Sequence, residues 1–150
     1  MSTNARPGVL RTWSFAGAFV VVAALVAADG FATGRPVMAV AAIAGFGILA
    51  AIMSPLAFPR STTAAEAQRR ATADGRPIIY WRPGCSFCLT LRRKLGRHAR
   101  KAHWVNIWSD PEAAAVVRSL ADGNETVPTV VTPDEHQVNP NPTWVLNHLR

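Results

Sequence analysis

Cysteine occurs only twice in the 150 residues, at Cys85 and Cys88. That excludes a framework of several disulfides and leaves three readings of a CxxC pair: a redox dithiol, half of a zinc site, or a structural staple. Acidic residues are also scarce, 9 Asp and Glu against 16 Lys and Arg, so the net charge is +7 and the isoelectric point about 11.0. So basic a balance would suit nucleic acid, but no aromatic-and-basic binding motif accompanies it, and nucleic acid is not an expected partner. Much of the charge flanks apolar runs or falls between Arg92 and Lys101. A basic face near a bilayer is attracted to anionic head groups by about 1 kcal/mol per residue, which makes the lipid bilayer the expected partner.

Before Arg60 charge is sparse, confined to Arg6, Arg11, Asp29 and Arg35. Phe15 to Ala28 is an unbroken small and apolar run, extended by Thr12, Trp13 and Ser14 to roughly 25 Å of helix, the short end of a membrane span. Pro36 to Phe58 carries no charge and would reach about 35 Å if helical throughout, a full span. The pair predicts a transmembrane hairpin within residues 1–60, with spans near 12–28 and 36–58 and "DGFATGR" as its loop. Small residues four apart, Ala23 with Ala27, Ala41 with Gly45 and Gly47 with Ala51, would allow close helix approach. A cleaved signal peptide is the other reading of the first run, because Arg6 and Arg11 precede it and it ends in small residues. Trp13 suits an interfacial anchor.

Residues 61–76 begin with a capping-box pattern, Thr63 followed by Glu66, and stop at Gly75, which predicts a short helical linker. Residues 77–150 are a compact domain, small for an independent core. "PIIYW" reads as a buried strand ended by "RPG". Cys88, Leu91, Leu95, Ala99 and Ala102 then recur at helical spacing, with Gly96 weakening the helix. "AHWVNIW" is a second strand, and Asp110 caps a helix that opens on Pro111 and stops at Gly123. Strands at Thr126–Thr132 and His136–Val138 and a last helix over Pro142–Leu149, capped by Asn141, complete an α/β order of βαβαββα. Trp81 and Trp104 suit the core.

Cys85 follows a strand and a Pro-Gly turn and precedes a helix, so its sulfur lies near the unpaired N–H groups and positive end of that helix. A thiolate is favoured there, and thiolate is the nucleophile. Arg82 and the basic helix add positive potential. Cys88, one turn on along the apolar stripe, is the more buried resolving partner. A second motif, "TVPT", puts Pro128 at the start of a strand, where a cis Val127–Pro128 bond would expose the Val127 backbone to a bound thiol or peptide.

"YWRPGCSFC", "VNIWSDPEAAAVVRSLADGNETVPTV" and the later Asn139–Pro140 together resemble the glutaredoxin branch of the thioredoxin-like fold, and most closely the mycoredoxins and related bacterial glutaredoxin-like proteins. The resemblance covers about Ile78 to Asn147 and none of the apolar region. It implies an α/β thioredoxin-like (glutaredoxin) domain, a nucleophilic Cys85, a cis Pro128, and reduction of mixed disulfides between proteins and a low-molecular-weight thiol. That thiol is a co-substrate and not a bound cofactor; it is mycothiol for mycoredoxins and glutathione for other glutaredoxins. Thr126 and Val127 would line its groove, with Trp81 and Arg82 at the rim. Ser86 stands where glutaredoxins usually have Pro and mycoredoxins Gly, and Phe87 replaces the common Tyr. The Gly-Gly that helps hold the glutathione carboxylate in glutaredoxins is replaced by Asn139 and Pro140, as in mycoredoxins, which favours mycothiol.

Other readings stay open. Cys85, Cys88, His98 and His103 approach a zinc-finger spacing, although a finger places its cysteines on a hairpin. Iron–sulfur binding through Cys85 across a dimer, and a non-enzymatic redox-sensing adaptor of a membrane partner, are the remaining alternatives. His136 and His148 show no convergent spacing. The expected protein partners are mixed disulfides, including those of membrane proteins.

Orientation follows from basic residues at the membrane ends: Arg6 and Arg11 before the first run, Arg35 alone in the loop, and Arg60, Arg69, Arg70 and Arg76 after the second. The excess on both outer flanks predicts a multi-pass protein of the cell membrane with both termini and the redox domain cytoplasmic. A reducing compartment argues against a permanent structural disulfide. An alkaline phosphatase fusion should therefore be active after Gly34 and inactive after Ser61. The opposite pattern would reverse the orientation.

Overall fold

The computed structural model describes residues 7–149, so Arg6 of the orientation argument lies outside the described residues, as does the side chain of Arg11. The chain divides into two compact units, Met1–Ala57 and Phe58–Arg150.

The first unit is a pair of helices, α1 (Pro7–Ala32) and α2 (Pro36–Met53). Thr12–Ala32 and Pro36–Met53 are both long and apolar enough to cross a membrane. The lengths reverse the expectation. The first helix does not stop at Ala28; it continues through Asp29 and Gly30, and its end is closed by Thr33 N–H and Oγ, both donating to Asp29 O at 2.9 Å, and by Arg35 N–H donating to Gly30 O at 2.7 Å. The second helix ends at Met53, not Phe58, because Pro55 disfavours helical backbone at Ser54, which is extended with ψ 143. Pro55–Ala57 is a separate 3-10 turn.

The seam between the helices also differs from the expected pairs. Ala16, Ala27, Gly30, Ala39 and Ala50 are buried, and Phe19 stacks on Phe46 at 6.3 Å. A methyl group added at Gly30 would lie 3.1 Å from the Ala39 Cβ, whereas at Gly45 or Gly47 it would meet nothing within 4 Å. Close approach is thus at Gly30 and Ala39, and Gly45 and Gly47 face away. Val20, Val21, Leu25, Val37, Met38, Val40, Ile43 and Ile48 are exposed, an apolar exterior of the kind that lipid covers.

The second unit is a four-stranded mixed sheet in the order β2-β1-β3-β4 with helices packed on it. Its elements are α3 (Ala64–Asp74), β1 (Ile78–Trp81), α4 (Ser86–Leu95), β2 (His103–Asn106), α5 (Pro111–Leu120), β3 (Thr129–Val131), β4 (His136–Val138) and α6 (Pro142–Asn147). From β1 onward the order is the expected βαβαββα. β1 runs parallel to β2, with Ile79 opposite Trp104, and antiparallel to β3, with Ile79 opposite Val130. The central strand is buried along its whole length, as a strand flanked on both edges and covered on both faces must be.

Residues 61–76 form the expected helix but are not a free tether. Thr63 caps α3 by accepting from Glu66 N–H, and Gly75 closes it with φ 68. Ser61 Oγ accepts from Asn106 N–H at 2.7 Å, and Thr62 N–H donates to Trp104 O at 3.0 Å, so the segment is tied to β2. Phe58 stacks on Trp81 with ring centroids 3.8 Å apart and meets Trp104 at 5.7 Å. A domain of this size gains apolar burial it would otherwise lack.

One carboxylate links two helices. Asp110 Oδ1 accepts from Glu112 N–H at 3.0 Å and Ala113 N–H at 3.4 Å, capping α5. Its Oδ2 accepts from Ala64 N–H at 2.6 Å, satisfying the start of α3. Asp110→Ala removes both caps from a buried position, and denaturant unfolding of the full chain should show a loss of about 2 kcal/mol or more. Asp110→Asn, which keeps an oxygen and a similar shape, should lose less. Equal losses in the two variants would show that the caps are not what Asp110 contributes.

Candidate active site

The site is made where β1 ends and α4 begins. After Trp81 the chain turns through Arg82, Pro83 and Gly84, where φ 75 suits glycine, and Cys85 takes the N-cap position of α4 with extended backbone. An N-cap position ordinarily holds Ser, Thr, Asp or Asn, whose oxygen accepts from the first free amides. Here the acceptor is sulfur: Cys88 N–H donates to Cys85 Sγ at 3.1 Å. Cys85 and Cys88 are joined as a disulfide, with Cα atoms 5.2 Å apart. Cys88 is fully buried on the inward stripe with Leu91 and Leu95, while Cys85 lies at the edge of the covered region.

The loop before β3 closes the site from the other side. The Val127–Pro128 peptide is cis, and Val127 O lies 3.4 Å from Cys85 Sγ. The loop is pinned by Thr129 Oγ, which donates to Thr126 O at 2.8 Å, and by Asn139 N–H, which donates to Pro128 O at 2.7 Å. Asn139 has φ 51, a left-handed conformation that asparagine tolerates better than most side chains. Among the described residues no hydrogen bond uses the Val127 N–H.

Of the residues singled out in the sequence, Cys85, Cys88, Val127 and Pro128 converge, and Thr126 stands exposed beside them. Arg82 is half-buried, its guanidinium carbon 5.9 Å from the Trp108 ring centroid. Trp81 does not reach a groove rim. It is 1 % exposed and stacks on Phe58, in the core place its strand predicts, so the rim assignment is corrected. Trp108 and Phe87 were missed as site residues. Trp108 could have been found from the parallel register, since Trp81 pairs with Asn106 and the residues beyond each strand end run side by side. Phe87, between the cysteines, is 63 % exposed and gives the site an apolar lip.

Helix α4 stops at Leu95, so His98 lies on a following 3-10 turn over Gly96–Lys101 and not on the helix itself. His103 opens β2 and its Nε2 lies 3.1 Å from both Asp74 carboxylate oxygens. Among the described residues no three His, Cys, Asp or Glu side chains converge on one point.

A dithiol at a strand-to-helix turn facing a cis-proline loop, in an α/β layer of this topology, defines a thiol–disulfide oxidoreductase site of the thioredoxin-like class. The comparison with known families agrees: residues 78–137 match the glutaredoxin family model. The match lies within the second unit, and the two apolar helices before it are not included. Glutaredoxins use a low-molecular-weight thiol such as glutathione as co-substrate. No curated protein and no solved structure matched the chain.

Reduced protein prepared under argon should leave purification without stoichiometric zinc, because the cysteines share one helix start and His103 is engaged with Asp74. Elemental analysis checks this. One zinc per chain, lost on His98→Ala or His103→Ala, would overturn it.

Proposed function

We propose that the protein is a membrane-anchored glutaredoxin of the mycoredoxin type, reducing mixed disulfides with a low-molecular-weight thiol, mycothiol in preference to glutathione, at the cytoplasmic face of the cell membrane. The observation that carries the reading is the sulfur of Cys85 at the N-cap of α4, accepting the Cys88 amide and facing the cis-proline loop. An amide donor and the positive end of a helix favour thiolate over thiol, which suits Cys85 as the attacking group. Buried Cys88, within bonding reach, suits the resolving role.

With a mixed disulfide between a protein and the small thiol, the Cys85 thiolate attacks the small thiol's sulfur. The protein sulfur departs as thiolate and takes a proton, and the small thiol remains bonded to Cys85. A second small thiolate then attacks that sulfur, releasing the small-molecule disulfide and restoring the Cys85 thiolate. With a disulfide inside a protein, Cys85 attacks one sulfur and the other departs as thiolate and takes a proton; Cys88, losing its own proton, then attacks Cys85, freeing the sulfur first attacked and leaving the Cys85–Cys88 disulfide. Two small thiols reduce that bond and leave as their own disulfide.

Thr126 and Val127 are assigned to the thiol's groove, where the Val127 N–H is a ready backbone donor. Arg82 is assigned to its rim with Trp108 beneath. The preference for mycothiol rests on Asn139 and Pro140. The Asn139 amide already donates to Pro128 O, and proline has no amide, so the two backbone donors that a Gly-Gly pair would offer a carboxylate are unavailable. Protein mixed disulfides, including those of membrane proteins, and the bilayer are the proposed partners.

The Cys85→Ser variant should show no turnover, since a serine hydroxyl is not ionised near neutral pH. Cys88→Ser should stay roughly within tenfold of wild type on small mixed disulfides, where a second small thiol resolves the intermediate, and fall much further on disulfides within proteins. Thiolate absorbance in Cys88→Ser should give a Cys85 pKa below the free-cysteine value of about 8.5. An active Cys85→Ser with a dead Cys88→Ser would reverse the roles. Turnover with glutathione-linked and not mycothiol-linked disulfides, each with its own reductase, would overturn the choice of thiol.

A further inference from the structure

The cysteines lie beyond the C-terminal end of β1, and at the opposite end of β1 and β2 the second unit has a cavity of about 520 Å³, within the usual range for small-ligand pockets. Arginines from four separate segments line it: Arg60 from the chain entering the unit, Arg70 from α3, Arg76 from the turn before β1, and Arg100 from the turn before β2. His103, Thr62 and Trp104 are also in its walls, and no carboxylate is among the lining residues.

Two of the four cations are paired with carboxylates outside the pocket. Arg70 Nε donates to Glu66 at 2.6 Å, and Arg76 lies 3.6 Å from Asp74, which also meets His103. Burial works to raise the pKa of Asp74, but the Arg76 amide, His103 and the Arg76 charge outweigh it and hold the carboxyl below its ordinary value, so it stays an anion. Arg60 and Arg100 have no carboxylate partner among the described residues. Like charges gathered in one concavity repel, and an incoming anion relieves that cost while accepting charge-assisted hydrogen bonds from a fork geometry suited to phosphate.

We propose that this pocket is a phosphate-binding site, filled by the head group of an anionic phospholipid or by a soluble phosphate monoester. In the sequence, Arg60 is the first basic residue after the second apolar helix, the place where a chain leaving a bilayer first meets lipid phosphates. The site shares no residue with the dithiol site, so its failure would leave the redox reading untouched.

The test uses the full chain in zwitterionic detergent micelles. One arm adds phosphatidic acid to the micelle, and the other titrates glycerol phosphate in solution, with tryptophan fluorescence and native mass spectrometry as readouts. Saturable binding is expected in at least one arm: the lipid arm alone identifies a head-group site, and the soluble arm identifies a site open to free phosphates. Arg60→Gln with Arg100→Gln should weaken binding by about tenfold or more. Arg93→Gln with Arg97→Gln removes the same charge from exposed positions outside the pocket and should weaken it less than about twofold. No saturable binding in either arm, or equal losses in the two double variants, would overturn the proposal, the second outcome showing diffuse charge attraction and not a site.

Discussion

A helix leaves its first amides without partners inside itself, and in the second unit the group that meets this need at α4 is a sulfur atom. Cys85 Sγ accepts the Cys88 amide where an oxygen would ordinarily stand, so capping the helix and holding the reactive atom are one interaction. The surroundings follow from it. The helix can start at Cys85 only because β1 ends at Trp81 and Gly84 permits the turn, and β1 can deliver the chain there only as the buried central strand. The cis-proline loop reaches the same sulfur because β3 is the other neighbour of β1.

The packing that supports this turn draws on residues well outside the βαβαββα core. Trp81 is fixed by Phe58, Trp104 donates its indole N–H to Ala99 O at 2.7 Å, and Asp110 satisfies amides of both α3 and α5. A small sheet of three- and four-residue strands buries little by itself, and these contacts enlarge the core with chain that reads as linker. They also explain why Trp81, one residue from the active-site turn, serves the core, while Arg82 and Trp108 beyond the strand ends are only half-buried.

Charge is distributed with a similar division of labour. Basic residues on α4 are solvated or close the helix, as when Arg92 donates to Gly96 O at 3.2 Å. Those at the far end of β1 and β2 converge on a pocket, two held by Glu66 and Asp74 and two without carboxylate partners among the described residues. A net charge alone does not distinguish a solvated face from a binding site; the segments that bring the arginines together do.

Local pattern was sufficient wherever neighbours in the chain decide the outcome. Thr63 and Gly75 bounded α3, Asp110 and Pro111 opened α5, Asn141 opened α6, and the CxxC after a strand-and-turn signal located the dithiol, because caps and turns are satisfied by residues one to four apart. The apolar runs likewise declared two helices able to span a membrane, although their ends moved: Pro55 stopped α2 early, while hydrogen bonds to Asp29 and Gly30 carried α1 further. Which small residues form the seam of that pair was decided by the crossing at Gly30 and Ala39, which spacing alone does not reveal. The stacking of Phe58 on Trp81, the second helix capped by Asp110, the meeting of Val127 with Cys85 and the convergence of Arg60, Arg70, Arg76 and Arg100 were decided by tertiary structure. Each joins segments distant in the chain, and which such segments meet is set by sheet order and packing, not by the residues adjacent to either one.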